Sequence, residues 1–478
     1  MIPIRGFEGD RVAVFGLGRT GLTAARALKA GGATPVLWDE NERARATAAA
    51  EGFEVEDLKT ADWSKFAAFV LSPGVPLTHP EPHWTVELAK AAGVEVIGDI
   101  ELYARTVALA PLAQRPRTVA ITGTNGKSTT TALIGWVLTQ AGRDARIGGN
   151  IGVGVLDLPD MHSGAVYVIE TSSYQLDLTR TFRPDVAVLM NLSPDHLDRH
   201  GGMDGYVAAK RRLFANQGPG DTAVIGVDDA WSQQICTELM SAGKTAVRPI
   251  SSGRAIGRGV YALGGVLYDS TGDRTVEVAD LTRARSLPGK HNWQNAAAAY
   301  VTARALGISS DDAVEGLMSF PGLAHRMEEV GRVGPVRFIN DSKATNADAA
   351  RQALQSYPKV FWIAGGRAKA GGIEDLQDLF GRIERAYLVG EAADAYAATI
   401  GSSAPWTISG DISRAVVDAH ADAAAWAKKT GEDAIVLLSP ASASFDQFPD
   451  FEARGEAFRA AVASLTARKN SKAHGSAA

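Results

Sequence analysis

The sequence predicts an α/β protein of three domains, and its length, its alternating pattern and its breaks lead to this fold class. A chain of 478 residues is too long for one hydrophobic core and is near the length of about three ordinary domains. Short β-branched runs alternate with helical stretches of small and apolar residues, which is typical of α/β domains. Stretches with little periodicity at Pro111 to Pro116 and at Pro321 and Gly322 divide the chain into residues 1–109, 110–322 and 323–478.

Each block of the chain contains its own series of predicted strands. The first block has strands at 11–15, 35–38, 69–71 and 94–97, with a helix at 20–30. The second has strands at 119–121, 166–170 and 186–190 and an alanine-rich helix at 292–306. The third has strands at 336–339, 360–363, 386–389 and 435–438, with helical patterns between them. The repeated order of strand and helix predicts one α/β domain in each block.

Composition and charge exclude several classes of protein. Apolar residues make up 45% of the chain and charged residues 22%, as in ordinary globular proteins, so wholesale disorder is not expected. The net charge of -5 argues against a protein that neutralises many phosphates, and we expect no nucleic-acid partner. The single cysteine, Cys236, excludes an intramolecular disulfide framework and fits a reducing compartment. Because no apolar run is long enough for a signal peptide or a membrane span, we expect a cytoplasmic protein without membrane insertion, and a monomer.

A glycine-rich turn follows the first predicted strand. Residues 16–21 read G-L-G-R-T-G, and Asp39 stands at the end of the next strand. Such glycines let the backbone approach a ligand, helix amides face a phosphate, and the carboxylate accepts hydrogen bonds from a nucleoside. The pattern leaves an NAD cofactor, a UDP-type ligand and a tight turn without a ligand as alternatives. The loop 72–74, S-P-G, is expected at the same edge of the sheet, with an ordinary turn as its alternative.

A second loop carries a sharper signal. Residues 122–130 read T-G-T-N-G-K-S-T-T and lie between a predicted strand and an apolar helix. In such a loop glycine amides cradle phosphates, Lys127 reaches the terminal phosphates, and the Ser128 hydroxyl binds Mg²⁺. The loop departs from the general pattern G-x-x-x-x-G-K-S, because Ile121 stands where that pattern has its first glycine. The sequence therefore predicts an ATP site in the central domain.

The shortened form G-T-N-G-K-S resembles the ATP loop of the Mur ligase superfamily, which includes the folylpolyglutamate synthetases, and the resemblance extends over most of the chain. It implies Rossmann-like first and third domains and a P-loop ATPase-like central domain. The ATP-binding residues that it implies are Gly123, Thr124, Asn125, Gly126, Lys127, Ser128, Thr129, Asn292, Asn295, Arg326 and Asp341. The implied contacts to a UDP-linked substrate are Gly18, Arg19, Thr20, Asp39, Ser72, Pro73, Gly74 and Asn150.

Three further residues resemble the magnesium ligands of the family. Glu170 ends a strand of the central domain, and His196 follows the next strand in the stretch S-P-D-H-L-D. Lys210 matches a position where several members carry a lysine carbamylated by CO₂, a change that turns a cation into an anion with two oxygens. Without the resemblance, these residues would be a helix cap, a surface histidine and a solvated helix lysine.

The resemblance thus implies two Mg²⁺ ions, because hard oxygen ligands and divalent cations offset the repulsion among crowded anions. The implied metal ligands are Ser128, Glu170, His196 and carbamylated Lys210, and the implied catalytic residues are Lys127, Lys210 and His196.

The third domain carries stretches that resemble the D-glutamate-adding branch of the superfamily. Residues 340–346 read N-D-S-K-A-T-N after a predicted strand, and residues 439–448 read S-P-A-S-A-S-F-D-Q-F. Cations and a hydroxyl suit an amino acid with two carboxylates. The implied D-glutamate contacts are Lys343, Thr345, Lys369, Ser444 and the backbone of Phe451. The basic loop R-A-K-A at 367–370 departs from the more acidic or glycine-rich form in the family.

The resemblance implies an ATP-dependent ligase that joins D-glutamate to UDP-N-acetylmuramoyl-L-alanine, through an acyl phosphate, in the synthesis of cell-wall peptidoglycan. Two alternatives remain at this stage. A folylpolyglutamate synthetase-like ligase shares the ATP loop, but the glycine turn and the stretch N-D-S-K-A-T-N favour the UDP-linked substrate. A nicotinamide-dependent oxidoreductase would explain the first domain and leave the ATP loop without a role.

Overall fold

The computed structural model describes residues 1–368 and 371–475, with side chains through residue 466. Contacts divide the chain into two units, which are residues 1–284 with 290–320 and residues 285–289 with 321–478. Unit one contains two sheets and unit two contains one sheet.

The first sheet of unit one has five strands: β1 (Arg11–Phe15), β2 (Thr34–Trp38), β3 (Glu54–Val55), β4 (Phe66–Leu71) and β5 (Val96–Ile97). They stand in the order β3-β2-β1-β4-β5 and every neighbouring pair is parallel. Val12, Ala13 and Val14 are fully buried, as expected for a parallel strand covered on both faces. The helices that cover this sheet are α1 (Arg19–Ala30), α2 (Glu42–Ala50), α3 (Trp84–Ala91) and α4 (Asp99–Leu109).

The second sheet of unit one has nine strands: β6 (Arg117–Thr122), β7 (Asp144–Gly149), β8 (Ala165–Glu170), β9 (Val186–Leu189), β10 (Thr222–Gly226), β11 (Ala246–Ser251), β12 (Val260–Leu263), β13 (Val266–Asp269) and β14 (Val276–Asp280). Their order is β14-β13-β12-β11-β10-β9-β6-β8-β7. The strands from β7 to β12 pair in parallel, and β13 and β14 extend the sheet as an antiparallel meander.

The helices of this second part of unit one are α5 (Lys127–Gln140), α6 (Ser173–Asp177), α7 (Leu197–His200), α8 (Met203–Arg211), α9 (Ala230–Ala242), α10 (Lys290–Ala305) and α11 (Ser310–Ser319). Ser172 begins α6 with a capping box, because its hydroxyl accepts the Gln175 N–H and the Gln175 side chain accepts the Ser172 N–H. This cap fixes the chain direction immediately after Glu170, the last residue of β8.

Unit one is joined internally by apolar and polar contacts. One core cluster includes Val14 and Leu102 from the first part and Tyr167 from the second. The fully buried Glu101 on α4 accepts the backbone N–H groups of Arg180 and Thr181, at 2.7 and 2.9 Å. A buried carboxylate is stable only with such donors, so Glu101 ties α4 to the loop after α6.

Unit two has the six strands β15 (Glu328–Val333), β16 (Val336–Asn340), β17 (Val360–Gly365), β18 (Ile383–Val389), β19 (Trp406–Gly410) and β20 (Ala434–Leu438). They stand in the order β15-β16-β20-β17-β18-β19, and only the hairpin of β15 and β16 is antiparallel within the described residues. The helices of the unit are α12 (Ala347–Gln355), α13 (Ala393–Ile400), α14 (Ile412–Thr430) and α15 (Phe451–Gly475).

The architecture confirms the predicted α/β class, because all three sheets are largely parallel and alternate with helices. Every strand that the sequence predicts is present, and the helix predicted at 292–306 is α10 at Lys290–Ala305. The meander of β12 to β14 was not predicted. Among the described residues, none of the helices has the length and apolarity required to cross a bilayer.

Candidate active site

Three neighbouring strands bring the predicted ATP loop and the predicted metal ligands Glu170 and His196 to one edge of the nine-stranded sheet. β6 lies between β8 and β9, and all three run in parallel. The loop at 123–126 follows β6, Glu170 ends β8, and the segment with His196 follows β9. Because carboxyl ends of parallel strands share one edge, these segments meet although they are far apart in the chain.

The loop at 123–126 requires glycine at two positions. Gly126 has a φ of +83°, and a Cβ there would lie 2.5 Å from Asn295 Oδ1. Gly123 has a φ of +151°, and a Cβ there would lie 2.9 Å from the Cβ of Met190. A side chain would therefore strain the backbone and push apart the groups that hold the loop.

Asn191 holds this loop from the neighbouring strand end. Its Oδ1 accepts the N–H of Asn125 at 2.9 Å, and its carbonyl accepts the N–H of Thr124 at 2.9 Å. Its Nδ2 donates to the carbonyl of Asn125 at 3.2 Å. Asn191 was not among the predicted site residues, because its spacing from the loop gives no signal of this pairing.

Lys127 begins helix α5, directly after the loop. Its Nζ donates to the carbonyls of Gly123 and Thr124, at 3.0 and 2.8 Å. Ser128 and Thr129 follow in the first helical turn, where backbone N–H groups attract anions. The structure thus brings the predicted phosphate-binding residues together at one helix N-terminus.

Two of the predicted ATP contacts, Asn292 and Asn295, lie beside this loop. Asn295 Oδ1 accepts the Thr130 hydroxyl at 3.1 Å, and Asn295 Nδ2 donates to Asn292 Oδ1 at 3.1 Å. Both asparagines are at least 96% buried, with exposures of 4% for Asn292 and 2% for Asn295. They connect α10 to α5, and their role in ATP binding stays a prediction.

Glu170 has one carboxylate oxygen without a hydrogen-bond partner among the described residues. Its side chain is 2% exposed, Oε1 accepts Asn150 Nδ2 at 2.8 Å, and Oε2 is buried and unbonded. A buried carboxylate oxygen without a donor is costly, and a cation relieves that cost. Glu170 therefore fits the predicted role of a Mg²⁺ ligand, and Asn150 orients it.

His196 lies at the start of α7 in a left-handed conformation, with a φ of +52°. Its Nε2 lies 3.4 Å from Asp195 Oδ2, and its ring centroid lies 5.0 Å from that of Tyr174. Burial lowers the pKa of His196, and the negative charge of Asp195 opposes this effect. A neutral imidazole is the form that binds a metal.

Lys210 is 1% exposed, which excludes a solvated helix lysine. Its Nζ donates to the carbonyl of Gly123 at 2.8 Å and to Thr122 Oγ1 at 3.2 Å, and it lies 4.8 Å from the Tyr206 ring centroid. Burial lowers the pKa of Lys210 well below its ordinary value, and the Lys127 charge lowers it further. The amine is thereby shifted toward the neutral form that reacts with CO₂.

Within residues 1–368 and 371–475, no group of three or more His, Cys, Asp and Glu side chains forms a metal site. The predicted ligands instead combine a hydroxyl, a carboxylate, an imidazole and a modified amine. Mg²⁺ commonly takes few protein ligands and completes its shell with water and substrate phosphates. The donor set therefore fits a metal that binds together with ATP.

The glycine turn lies at the carboxyl edge of the five-stranded sheet. Asp39 Oδ2 accepts the Leu17 N–H at 2.6 Å, and the Ser72 hydroxyl donates to the Gly16 carbonyl at 2.5 Å. A Cβ at Gly21 would lie 2.1 Å from the Gly16 carbonyl oxygen, so packing alone requires that glycine. A Cβ at Gly18 would meet nothing within 4 Å. Gly18 thus leaves an open backbone surface, as the predicted ligand contact needs.

The other predicted UDP-substrate residues surround this turn or the second sheet of unit one. Arg19 Nη1 donates to the Gly152 carbonyl at 2.9 Å, close in sequence to Asn150. Arg199 Nη1 donates to the Gly74 carbonyl at 3.1 Å, and Pro73 lines a small cleft with Tyr174. Thr20 is half-buried in the first turn of α1.

In unit two, the predicted residues follow the adjacent strands β16, β20 and β17. Asp341 is 5% exposed, and its carboxylate accepts the Met327 N–H at 3.2 Å and the Ser439 hydroxyl at 2.9 Å. Burial raises the pKa of Asp341 to about 7, and the charge of Arg326 opposes the rise. These two predicted ATP residues are therefore electrostatically connected.

The predicted D-glutamate residues lie at the same edge of this sheet. Lys343 Nζ lies 4.0 Å from the Phe451 ring centroid, and the Phe451 carbonyl accepts the Ser342 hydroxyl at 2.8 Å. Thr345 is half-buried, and Ser444 is 2% exposed. Lys369, the remaining predicted contact, lies outside the described residues. Arg454 was not among the predicted site residues, although it bonds to several of these segments.

Models of three protein families match the chain. The model described as the N-terminal domain of Mur ligase MurD-like proteins matches residues 10–98. The Mur ligase middle domain matches residues 121–303, and the glutamate ligase domain of Mur ligases matches residues 325–442.

The chain is also similar to curated UDP-N-acetylmuramoylalanine–D-glutamate ligases. The protein of that name from Caulobacter vibrioides (strain NA1000 / CB15N) is 71% identical over 467 residues, which cover 98% of each chain. Its counterpart from Mesorhizobium japonicum is 53% identical over 470 residues, covering 97% of this chain and 98% of the relative.

Among solved structures, the fold resembles UDP-N-acetylmuramate-alanine ligase MurC from Thermotoga maritima, with a TM-score of 0.55 and 15% identity over 97% of this chain and 99% of that one. MurF from Acinetobacter baumannii also has a TM-score of 0.55, at 19% identity, over 97% of this chain and 92% of that one. At these identities the likeness shows the fold.

Proposed function

Since this chain belongs to the UDP-N-acetylmuramoylalanine–D-glutamate ligases of the Mur ligase family, we propose which of its residues bind each substrate and carry the reaction. The enzyme is an ATP-dependent ligase that adds D-glutamate to UDP-N-acetylmuramoyl-L-alanine in peptidoglycan synthesis. A carboxylate is a poor electrophile because its negative charge repels an attacking amine. ATP removes this obstacle by activating the carboxylate.

The proposed route passes through an acyl phosphate. A carboxylate oxygen of the L-alanine residue attacks the γ-phosphorus of ATP, and the bond from that phosphorus to ADP breaks. The D-glutamate amine then attacks the acyl carbon, the amide bond forms, phosphate leaves, and the amine proton passes to water. This route needs anions to be positioned and neutralised, and it needs no nucleophile from the protein.

The loop at 123–126 and Lys127 are proposed to hold the ATP phosphates. The backbone turns at Gly123 and Gly126 orient N–H groups at the N-terminus of α5. The Lys127 ammonium, which contacts the loop carbonyls, would exchange those contacts for oxygens of the terminal phosphates. It would then offset the charge that spreads over the transferred phosphoryl group.

Two Mg²⁺ ions are proposed to be held by Ser128, Glu170, His196 and carbamylated Lys210. When bound, Mg²⁺ offsets the mutual repulsion of the ATP phosphates and the acyl carboxylate. The observation that carries this part of the proposal is the buried, unbonded Oε2 of Glu170 at the strand end beside the ATP loop.

Carbamylation of Lys210 is supported by its surroundings. The amine is buried, its pKa is lowered chiefly by that burial, and Lys127 adds a like charge. Addition of CO₂ forms an N–C bond, releases one proton and converts the amine into an anion with two oxygens. An anion suits this location better than a second ammonium does, because the proposed metal ions are cationic.

The substrate assignments follow the sheet edges. The UDP-linked substrate is assigned to Gly18, Arg19, Thr20, Asp39, Ser72, Pro73, Gly74 and Asn150. D-glutamate is assigned to Lys343, Thr345, Lys369, Ser444 and Phe451. ATP is assigned to residues 123–129, Asn292, Asn295, Arg326 and Asp341. Their support is the placement of described residues at the carboxyl edges of parallel sheets, where ligands bind in such folds.

Phosphate release tests the function and the stereochemistry together. The full-length protein is incubated with ATP, Mg²⁺ and UDP-N-acetylmuramoyl-L-alanine, and either D- or L-glutamate is added. We expect sustained phosphate release with D-glutamate and only background release with L-glutamate. Equal rates with both amino acids, or none with either, would contradict the assignment.

The two alternatives from the sequence lose support at this point. Relatives that match 97–98% of the chain are named as D-glutamate ligases, and none of these names indicates a folate-linked or nicotinamide-linked reaction.

Domain boundaries at 1–109, 110–322 and 323–478 remain a proposal, supported by the fact that each range contains one sheet. A monomeric state and a cytoplasmic location are proposed with them.

A further inference from the structure

The guanidinium of Arg454 connects three separate segments of unit two. The residue lies in the first turn of α15 and is 1% exposed. Its Nε donates to the Ser342 hydroxyl at 3.0 Å, its Nη2 to the Ser342 carbonyl at 2.9 Å, and its Nη1 to the Ser442 carbonyl at 3.0 Å. A longer contact of 3.5 Å joins Nη1 to the Gly365 carbonyl. One side chain therefore spans the ends of β16, β20 and β17.

The segments that Arg454 joins are those assigned to D-glutamate. Ser342 directly precedes Lys343, and Ser442 stands two residues before Ser444. The Ser342 hydroxyl connects Arg454 to a further proposed contact, because it also donates to the carbonyl of Phe451 at 2.8 Å. A displacement of the guanidinium would therefore shift several residues that are proposed to contact D-glutamate.

Filling space does not explain a buried guanidinium at this position. The four hydrogen bonds of Arg454 all go to neutral oxygens, and Arg454 forms no ion pair in the described part of unit two. Burial lowers the pKa of Arg454 to about 10, and the negative charge of Asp446 opposes this. A buried charge without a partner is costly, and an apolar side chain of similar volume would avoid that cost.

The planar guanidinium fork of arginine can bind carbonyls of several segments at once, which neither an apolar side chain nor an ammonium group can do in the same fixed geometry. Its five N–H donors point in fixed directions, so one group binds carbonyls from several segments and holds their spacing. A Cβ on Gly366 would lie 3.0 Å from Nη1, which shows how closely the backbone packs around the fork. The remaining positive charge lies behind a site proposed for a ligand with two carboxylates.

We propose that Arg454 is a positioning residue for the amino-acid substrate: it holds the segments after β16, β17 and β20 in one arrangement and favours a dicarboxylic ligand by its buried positive charge. This proposal rests on the assignment of D-glutamate to unit two. Arg454 acts through Ser342 and Ser442, without contact to the reacting atoms.

Steady-state kinetics of the full-length enzyme test the proposal. Arg454→Met removes the fork, and Arg454→Lys keeps a positive charge without the fork. For both variants we expect the KM for D-glutamate to rise at least about tenfold, while the KM values for ATP and the UDP-linked substrate stay within about twofold. Ser342→Ala, a milder change, should raise the KM for D-glutamate by about threefold or more, because it removes one link to Phe451.

Arg332→Met is the matched control in the same sheet. Arg332 also donates to a carbonyl, that of Gly334, but it is half-exposed, pairs with Asp433, and lies at the opposite end of the strands. It should leave all three KM values unchanged. Thermal unfolding of each variant separates binding from folding.

Three outcomes would overturn the proposal. In the first, Arg454→Met and Ser342→Ala lower the melting temperature while the KM for D-glutamate stays at the wild-type value. In the second, all three KM values rise together. In the third, Arg454→Lys restores wild-type kinetics, so that the fork is unnecessary. Failure of the wild-type enzyme to use D-glutamate would instead contradict the proposed function itself.

Discussion

Lys210 shows how burial can change the chemistry of one side chain. A lysine that is 1% exposed, beside Lys127 and the proposed cation site, is poorly suited to carry its own positive charge. We expect Lys210→Ala to lose at least about 99% of activity, because a proposed metal ligand and its two oxygens disappear. Formate at millimolar concentrations should restore part of the activity by occupying the vacated oxygen positions.

The exposed Lys244 on the segment after α9 supplies a control. Lys244→Ala should keep full activity and should not respond to formate. Labelling of the wild-type enzyme with ¹³CO₂ should give a carbamate signal that Lys210→Ala lacks. Full activity of Lys210→Ala, or an active wild type without the signal, would rule out the modification.

The burial of Asp341 leads to a prediction about how the free energy of unfolding depends on pH. Burial raises its pKa from 3.8 to about 7, so the folded protein keeps this proton over a range in which the unfolded chain has released it. The free energy of unfolding should therefore fall as the pH rises from about 4 to about 7, by at most about 1.4 kcal/mol per pH unit from this group. Above pH 7 the contribution should be constant.

Asp341→Asn isolates that contribution, because an amide can still accept the Met327 N–H and can donate to the Ser439 oxygen. Urea unfolding of both proteins at pH 5, 6, 7 and 8 gives the comparison. The stability of the wild type relative to the variant should decrease between pH 5 and 7 and then level off. A constant difference across the series would show that Asp341 does not titrate as described.

Local features of the structure were predictable from the sequence, whereas pairings between distant residues were not. The turn between β6 and α5 was predictable because glycine, lysine and serine stand at fixed spacing beside a strand and a helix, and ATP binding by this loop stays a prediction. Asn191 pairs with Asn125 across 66 residues, and Arg454 bonds to Ser342 across 112 residues. Neither pairing can be recognised from the amino-acid sequence alone.

At the scale of elements, the strands differ in how far they were predicted. The strand at Arg11–Phe15 is apolar, buried and ended by a glycine, so its predicted and observed bounds agree. The strands β12, β13 and β14 have four or five residues each, and Leu263 and Val276 on them are exposed by 38% and 49%. β12 reads V-Y-A-L and β13 reads V-L-Y-D on either side of Gly264 and Gly265, so the sequence contained a hairpin signal that was overlooked.

A third prediction concerns the proposed ATP loop at 123–126 and the packing of Gly126 against Asn295. Gly126→Ala places a Cβ 2.5 Å from Asn295 Oδ1 in a left-handed conformation, so the loop or the Asn295 contact to Thr130 must move. We expect kcat/KM for ATP to fall at least about tenfold while the protein stays folded. Initial-rate kinetics over a range of ATP concentrations measure this.

Gly142→Ala separates backbone strain from the clash. Gly142 also has a positive φ, of +74°, but a Cβ there meets nothing within 4 Å. This variant should lose about 1 kcal/mol of stability from the left-handed conformation and should keep wild-type kinetics for ATP. If both variants have the same kinetics, the contact between the loop and Asn295 is unimportant for ATP.

At the scale of the whole molecule, the proposed residues divide between the two units. All UDP-substrate residues and the ATP loop belong to unit one, whereas Arg326, Asp341 and the described D-glutamate residues belong to unit two. The sequence did not predict that the first two sheets belong to one unit. Contacts such as those of Glu101 join them across 79 and 80 residues, and a separation of this length has no recognisable pattern in the sequence. The sequence breaks indicated three domains and contained no information about which parts pack together.

The D-glutamate residues are different from those assigned to the ATP phosphates, so the two chemical steps should be separable by substitution. Hydroxylamine traps an acyl phosphate as a hydroxamate, so it reports the first step with ATP and the UDP-linked substrate in the absence of D-glutamate. Lys127→Ala should give no hydroxamate, because the phosphoryl group is not transferred without the lysine charge. Thr345→Ala, which alters a half-buried residue of the proposed D-glutamate site, should give nearly the wild-type amount.

In the complete reaction, Thr345→Ala should raise the KM for D-glutamate at least about tenfold, because the lost hydroxyl acts only after activation. Thr399→Ala is its control: this α13 threonine bonds to the Ala395 carbonyl in the same unit and should leave both measurements unchanged. Loss of hydroxamate in Thr345→Ala would mean that this residue is needed before D-glutamate binds. The assignment of Thr345 to the amino acid would then be wrong, whereas the assignment of Lys127 to ATP would stand on its own measurement.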